Sequence, residues 1–73
     1  MNYQIGRKIA LRRKMVGLSR RELSLMSQID LQQLTRYEAG IDYIKSTSLL
    51  RIAKSLRVEP DYFFTLNNTN KTS

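Results

Sequence analysis

Apolar side chains recur at helical spacing along most of the chain, and residues typical of helix ends separate the segments. Ile5, Ile9 and Val16 fall within one narrow stripe, which predicts a first helix over residues 2–16. Gly17 follows that stripe, and glycine is the residue most often found just after a helix. The chain therefore opens with one amphipathic helix.

Two residue pairs carry the capping-box pattern, in which a short polar residue is followed three positions later by Glu or Gln. Ser19 with Glu22 predicts the start of a second helix. Asp30 with Gln33 repeats the signal and predicts a third helix over about 31–39, before a glycine. The short gap between these two helices makes them a candidate helix-turn-helix.

The second half of the chain predicts two further helices. A loop over 41–45 leads to a fourth helix, for which Ser46 is the expected N-cap and residue 57 the approximate end. Pro60 suits the first position of a short fifth helix. That helix carries three consecutive aromatic residues, Tyr62, Phe63 and Phe64.

No segment shows the alternation of a strand, so the predicted fold class is all-α, with five helices around one core over residues 1–66. The polar stretch 67–73, NNTNKTS, predicts a disordered tail. The side chains expected in the core beyond the first helix are Leu23, Met26, Ile29, Leu34, Leu49, Ile52, Ala53 and Leu56.

Composition excludes several classes of protein. The 73 residues make one small domain without cysteine or histidine, which removes disulfides, thiolate nucleophiles, zinc ligands and the commonest general base. With six acidic residues and no glycine-rich phosphate loop, no catalytic set appears, so we expect no enzyme, cofactor or metal. No membrane-spanning run, signal peptide or separate effector-binding domain is apparent, and the expected location is cytoplasmic.

The net charge of +7 is concentrated at the start of the chain. Residues 1–21 contain seven Lys and Arg residues and no acid, whereas six basic residues balance six acidic ones from Glu22 onward. Such asymmetry indicates a polyanionic partner. Double-stranded DNA is favoured over a membrane surface, which would need a broad apolar helix face.

The third helix presents a polar outer face. With Leu34 facing the core, Gln32 and Arg36 lie almost opposite it at about 100° per residue, and Gln33 and Thr35 flank them. A glutamine amide can bond N6 and N7 of adenine, and a guanidinium can fork onto O6 and N7 of guanine. We therefore expect Gln32, Gln33 and Arg36 to contact bases, although the same residue types are ordinary on any exposed helix.

Leu31 lies in the first turn of this helix, where it either packs partly beneath the helix or touches thymine methyl groups. Arg20 begins the second helix, where free N–H groups and the helix dipole suit a phosphate. The other expected phosphate contacts are Thr35, Tyr43, Lys45 and Ser46.

Charged residues also fall on inward faces. Glu38 lies about 40° from Leu34, and Arg12 and Arg13 flank the buried stripe of the first helix. Since an unpaired buried charge costs several kcal/mol, on the order of the desolvation of one ion, we expect Glu38 to pair with one of these arginines. Periodicity does not choose between them.

Together these motifs resemble the lambda-repressor-like helix-turn-helix domains of the Cro and phage repressor type. The matching pattern over residues 5–64 is IG…I…R…GLS..EL, then ID…L…E.G, then LL.IAKSL.V. The resemblance implies that the third helix enters the major groove, with Gln32, Gln33 and Arg36 at base-contacting positions. It also matches Arg13 and Glu38 to the family's ion pair, and Arg20 replaces the usual phosphate-binding glutamine.

The resemblance further implies a bacterial or phage protein that binds two-fold symmetric operators as a homodimer, often through the region after the fourth helix. Tyr62, Phe63 and Phe64 would give a monomer of this size more aromatic surface than it should expose, so we expect them at the dimer interface, with one or two of them in the core instead. Restriction–modification controller proteins and Cro-like repressors are similarly compact, as are some antitoxins. The alternative is a protein-interaction module of the same fold that reads no bases.

This sequence departs from the family pattern in two turns. Gln28 stands where a turn glycine is common, so that turn must form without the residue that most readily adopts positive φ. Ile44 and Lys45 replace the usual Pro-Ser before the fourth helix. Both departures bear on loop geometry and leave the predicted fold unchanged.

Overall fold

A computed structural model describes residues 2–64, without the side chains of the first two of these. The regular elements in this part of the chain are all helical, and it contains no strand, as predicted. Residue 1 and residues 65–73, including the predicted tail, lie outside the described residues. The elements are α1 (Asn2–Met15), α2 (Arg20–Ser27), α3 (Leu31–Glu38), α4 (Ser46–Ser55) and one 3-10 turn (Pro60–Phe63).

The fifth element differs from the prediction. Pro60 does occupy a first helical position, but the segment is a single 3-10 turn of four residues and no α-helix. The domain is thus built from four α-helices and this turn, so the expected count of five helices is not confirmed.

The cap of α2 is the complete capping box that the sequence predicts. The Ser19 hydroxyl accepts a hydrogen bond from the Glu22 amide at 3.0 Å. The Glu22 carboxylate accepts one from the Ser19 amide at 2.7 Å. Two amides that the first turn would leave unbonded are thereby satisfied, which fixes where α2 begins.

The caps of α3 and α4 depart from the prediction. Asp30 does cap α3 by accepting from the Gln32 amide at 3.1 Å, but the Gln33 side chain bonds elsewhere, so the box is incomplete. The prediction of Ser46 as N-cap is wrong. Lys45, in an extended conformation and without a side-chain cap bond, holds that position, and its carbonyl accepts the first helical bond from Leu49 at 2.9 Å.

All four α-helices end in the same way, with one left-handed residue followed by an amide that bonds back to the helix. The returning bonds run to carbonyls five residues earlier, for example from Leu18 to Arg13 at 3.0 Å and from Val58 to Ala53 at 3.0 Å. This is the Schellman arrangement, which satisfies carbonyls at the end of a helix. The left-handed residues are Gly17, Gln28, Gly40 and Arg57.

Two of these left-handed residues are not glycine. Gln28 has φ 58° and Arg57 has φ 61°, a region that costs a residue with a Cβ about 1–2 kcal/mol. Arg57 also stops α4 at Ser55, short of the predicted end. The turn between α2 and α3 therefore forms without the usual glycine, at an energetic cost to the domain.

The core is one apolar cluster contributed by every element. Met26 and Val16 were expected in or near it, but they are 54% and 39% exposed. Tyr37 is buried instead, and its hydroxyl lies 3.4 Å from that of Ser48. The buried apolar side chains are Ile9, Leu23, Ile29, Leu34, Tyr37, Leu49, Ile52, Ala53, Leu56 and Phe63.

Helix α1 packs directly against the end of α3 because Gly6 has no side chain. A Cβ at Gly6 would collide with the carbonyl oxygen of Tyr37 and lie 3.0 Å from that of Glu38. Glycine in a helix interior is unfavourable by about 1 kcal/mol relative to alanine, so its presence here reflects this close approach. The contact holds the two helix backbones together at one point.

A buried ion pair fixes the same two helices at a second point. The Glu38 carboxylate accepts from Arg13 Nε at 2.8 Å and from Nη2 at 3.2 Å, and Arg20 Nε lies 3.2 Å from it. Arg13 Nη1 also donates to the Leu18 carbonyl at 2.9 Å. Arg12, the other sequence candidate, instead donates to the Leu56 carbonyl at 3.2 Å.

Replacing Gly6 by alanine should force α1 and α3 apart and lower the free energy of unfolding by about 3 kcal/mol or more. Gly17→Ala is the control, because a Cβ there meets nothing within 4 Å and suffers only its positive φ. That variant should lose only about 1–2 kcal/mol. Urea denaturation followed by circular dichroism measures both, and equal losses would contradict the close approach.

Glu38→Gln should lower the free energy of unfolding by about 3–5 kcal/mol, because it leaves the Arg13 guanidinium buried without an opposite charge. The side chains of Arg13 and Glu38 are 8% and 5% exposed, whereas that of Arg20 is 45% exposed. Arg20→Gln should therefore lose no more than about 1 kcal/mol. Thermal and urea unfolding compare the two variants, and a Glu38→Gln domain as stable as the original would refute the role of the pair.

Candidate nucleic-acid interface

The outer face of α3 carries four of the residues that the sequence predicts for DNA contact. Gln32 and Arg36 lie one helical turn apart and are exposed, and Thr35 is exposed between them. Leu31 is half-buried, in line with the partial burial weighed from the sequence. All four line one shallow concavity on the surface, so they form a continuous patch.

Asp42 joins two of the predicted base-contacting side chains, a role that no pattern in the sequence indicates. Its carboxylate accepts from Arg36 Nε at 2.7 Å and from Arg36 Nη2 at 2.9 Å. Gln33 Nε2 donates to the same carboxylate at 2.8 Å. Gln33 and Arg36 are thus held together by a loop residue, whereas the side-chain amide of Gln32 makes no hydrogen bond to a residue that the structure describes.

These contacts keep both charges in place. The hydrogen bond from Arg36, followed by the one from Gln33, lowers the pKa of Asp42 to about 2. The same bond raises the pKa of the Arg36 guanidinium above its ordinary value. Asp42 is ionised at neutral pH, as an ordinary aspartate is, and the lowered pKa keeps it ionised at more acidic pH as well, although it lies beside a surface expected to face phosphates.

The residues expected to contact phosphates lie on α2, on α3 and around the start of α4, and they differ in whether their side chains are hydrogen-bonded. Arg20 is the first residue of α2, and its guanidinium is engaged by Glu38. The Thr35 hydroxyl donates to the Leu31 carbonyl at 2.8 Å. Tyr43, Lys45 and Ser46 are exposed at the loop before α4, and Tyr43 is 86% exposed.

The three aromatic residues expected at a dimer interface separate into different environments. Phe63 is completely buried in the core, so it is not available to a partner, and its ring meets that of Tyr62 edge to face at 5.2 Å. Lys8 Nζ lies 4.8 Å from the centre of the half-buried Tyr62 ring. Phe64 is 57% exposed and is the aromatic side chain of this segment that faces outward.

Two kinds of site do not occur among residues 2–64. No group of three or more His, Cys, Asp or Glu side chains in this range could hold a metal ion. No helix in the same range is long and apolar enough to span a membrane.

Comparison with known proteins identifies relatives of known class. A family model described as helix-turn-helix matches residues 9–63. A regulator of Sinorhizobium fredii, y4wC, of the HTH-type transcriptional class, is 37% identical over 65 residues, covering 86% of this chain and 46% of the relative. A regulator of the same class from Rickettsia conorii, RC0668, is 41% identical over 68 residues, covering 92% and 54%. The chain thus spans about half the length of these curated relatives.

Solved structures share the fold. The restriction–modification controller protein C.AhdI from Aeromonas hydrophila superposes with a TM-score of 0.83 at 26% identity, covering 85% of this chain and 94% of that one. The DNA-binding domain of the P22 c2 repressor gives 0.81 at 29% identity, covering 96% of each chain. The P22 c2 repressor bound to a synthetic operator gives 0.75 at 25% identity, covering 81% and 89%. With its paired α2 and α3 and the match over residues 9–63, the chain belongs to the helix-turn-helix family.

Proposed function

We propose that this chain is a sequence-specific double-stranded DNA-binding transcription regulator that reads the major groove with α3. The observation that carries the proposal is the exposed pair of Gln32 and Arg36, one turn apart on a helix that follows a capped helix and a tight turn. An amide and a guanidinium are the side-chain groups best matched to adenine and guanine edges. These residue types occur on any exposed helix, but their position on a helix that follows a capped helix and a tight turn favours DNA reading.

The size of α3 suits the groove. An α-helix with its side chains is about 10–12 Å across, which matches the major groove of about 12 Å, and the eight residues of α3 extend for about 12 Å along the helix axis. In this arrangement Gln32, Gln33 and Arg36 contact base edges, and the half-buried Leu31 contacts a thymine methyl group. The short helix reaches only a few base pairs, so a single protomer reads a short half-site.

Basic and hydroxyl groups beside α3 would hold the DNA backbone. We assign this role to Arg20 at the start of α2, to Tyr43 and Lys45 before α4 and to Ser46 at its first position, together with Thr35 on α3. Helix N-termini offer free amides and a positive dipole end to phosphates. The excess of positive charge in residues 1–21 adds an attraction that weakens as salt is added.

The comparisons support DNA as the partner. The P22 c2 repressor, whose fold this chain shares, has been solved with a synthetic operator. C.AhdI is a restriction–modification controller protein, and the curated relatives are HTH-type transcriptional regulators. Regulators of this family are generally not enzymes, and we propose neither a catalytic site nor a cofactor here.

We further propose a homodimer on a two-fold symmetric operator. One protomer reads few base pairs, and two half-sites about one helical turn apart would multiply its specificity. The exposed Phe64 and the half-buried Tyr62 supply an aromatic surface after α4, and Phe63 supports them from the core. Phe64 is the residue of this group whose exposure favours contact with a second copy.

Arg36→Ala should relax base preference at one base pair of each half-site, with a loss of about 1–3 kcal/mol in discrimination. Lys54→Ala is the control: it removes one positive charge from α4, away from α3, and should weaken binding to all duplexes equally. Mobility shifts at physiological salt, with a duplex selected from a random pool and random competitor, compare these variants.

Unchanged affinity and unchanged base preference in Arg36→Ala would remove that residue from the proposed reading set. A wild-type protein that shifts no duplex above random competitor would instead fit a protein-interaction module of the same fold.

Phe64→Ser should shift the protein from dimer towards monomer, because it removes the exposed aromatic side chain of the proposed interface. Leu25→Ser is the control, since Leu25 is 74% exposed on α2, which is not part of the proposed interface. Sedimentation velocity over a range of concentrations, with and without operator duplex, gives the oligomeric state. Wild-type protein that stays monomeric even on operator DNA would contradict the dimer.

A further inference from the structure

We propose that Asp42 is a specificity-determining residue that holds Arg36 so that its guanidinium can fork onto a guanine. This inference rests on the proposed reading of DNA by α3, and it concerns a loop residue outside the helix. The observation behind it is the pair of hydrogen bonds from Arg36 to the carboxylate, at 2.7 Å and 2.9 Å.

The edge of the guanidinium that Asp42 occupies matters. A guanidinium carries five N–H donors in a rigid plane. Asp42 takes the side edge, formed by Nε and Nη2, and this leaves the end edge formed by Nη1 and the second hydrogen of Nη2. Two parallel donors on that end edge match the O6 and N7 acceptors of guanine. The ion pair and the base contact are therefore compatible on one side chain.

Gln33 also helps to hold the Asp42 carboxylate in place. Its Nε2 donates to that carboxylate at 2.8 Å. Asp42 is therefore bonded to two residues of α3, Gln33 and Arg36, which lie about one helical turn apart. An arginine side chain free in solvent loses rotamer entropy when it is fixed on a base. The Arg36 side chain is already restricted in the free protein, because its two hydrogen bonds to Asp42 hold it although it is 51% exposed. Binding to a base therefore costs it less rotamer entropy.

The charge of Asp42 distinguishes this role from simple attraction to DNA. A carboxylate next to a phosphate-facing surface repels the backbone, so it lowers affinity for every sequence. The hydrogen bonds keep it ionised, with a pKa of about 2. A residue that weakens general binding while it orients a base-reading side chain raises the ratio of specific to non-specific affinity.

The decisive variant is Asp42→Asn, which keeps the shape of the side chain but removes its charge and places an amide donor against the guanidinium. Glu59→Gln is the matched control. It neutralises one exposed carboxylate that makes no cap bond and lies before the 3-10 turn, far along the chain from α3. Any effect of net charge alone should appear in both variants.

The experiment uses the full 73-residue chain and duplexes that differ only at the base pair where Arg36→Ala loses discrimination. Asp42→Asn should lose about tenfold in discrimination at that same base pair, the order of one bidentate contact. Its affinity for random duplex should rise, as it does for Glu59→Gln. Nitrogen-15 NMR of the free protein should show the Arg36 Nε–H signal shifted and exchanging faster in Asp42→Asn only.

Discrimination in Asp42→Asn equal to that in Glu59→Gln would overturn the inference and leave the proposed function intact. Tighter operator binding by Asp42→Asn with full discrimination would also overturn it, because Asp42 would then compete with the base. A wild-type protein without base preference would overturn the proposed function itself, and this inference with it.

Discussion

The buried carboxylate of Glu38 is the interaction on which the geometry of the domain depends. It lies on α3 and accepts from Arg13 on α1 and Arg20 on α2, so one side chain joins three helices. A charge that is 5% exposed is tolerable only with such partners, and Arg13, which is buried with it, must therefore keep its position. Because Gly6 has no side chain, the α1 backbone also touches the end of α3. These two contacts set the rotation of α3, and hence which of its residues face outward.

The outward residues then fall into two groups with different physical character. Arg36 and Gln33 are bonded to Asp42 in the free domain, whereas Gln32 and Tyr43 are exposed, and the side-chain amide of Gln32 makes no hydrogen bond to a described residue. In the proposed complex with DNA, the bonded side chains would lose little entropy on binding, and the exposed ones could adapt to a base or a phosphate. The domain also accepts two non-glycine residues at positive φ, of which Gln28 forms the turn that sets α3 after α2. The turn that places α3 after α2 therefore contains a backbone conformation that is unfavourable for a residue other than glycine.

Most of the helices and most of the core could be predicted from the sequence, because they depend on patterns between residues close together in the chain. The Ser19–Glu22 box, the glycines after α1 and α3 and the apolar spacing of α4 are local signals, and they predicted most of the four helices and the core. The inward positions of Glu38 and the α1 arginines predicted a pair, but periodicity could not choose Arg13, since both arginines flank the buried stripe. Asp42 had no periodic signal, because a loop residue finds its partners only through the fold. Ser46 was misplaced by one residue since the backbone of Lys45, which no side-chain pattern reports, begins the helix.

The most direct measurement is selection of duplexes from a random pool by the wild-type protein at physiological salt, because one consensus reports specificity, symmetry and spacing together. We expect a two-fold symmetric consensus whose half-sites lie about 10 base pairs apart from centre to centre, with a guanine at a fixed place in each half-site. A pool that shows no enrichment after repeated rounds would contradict it. So would a consensus that contains no guanine in its half-sites, since Arg36 would then read no base of the kind that its free edge fits.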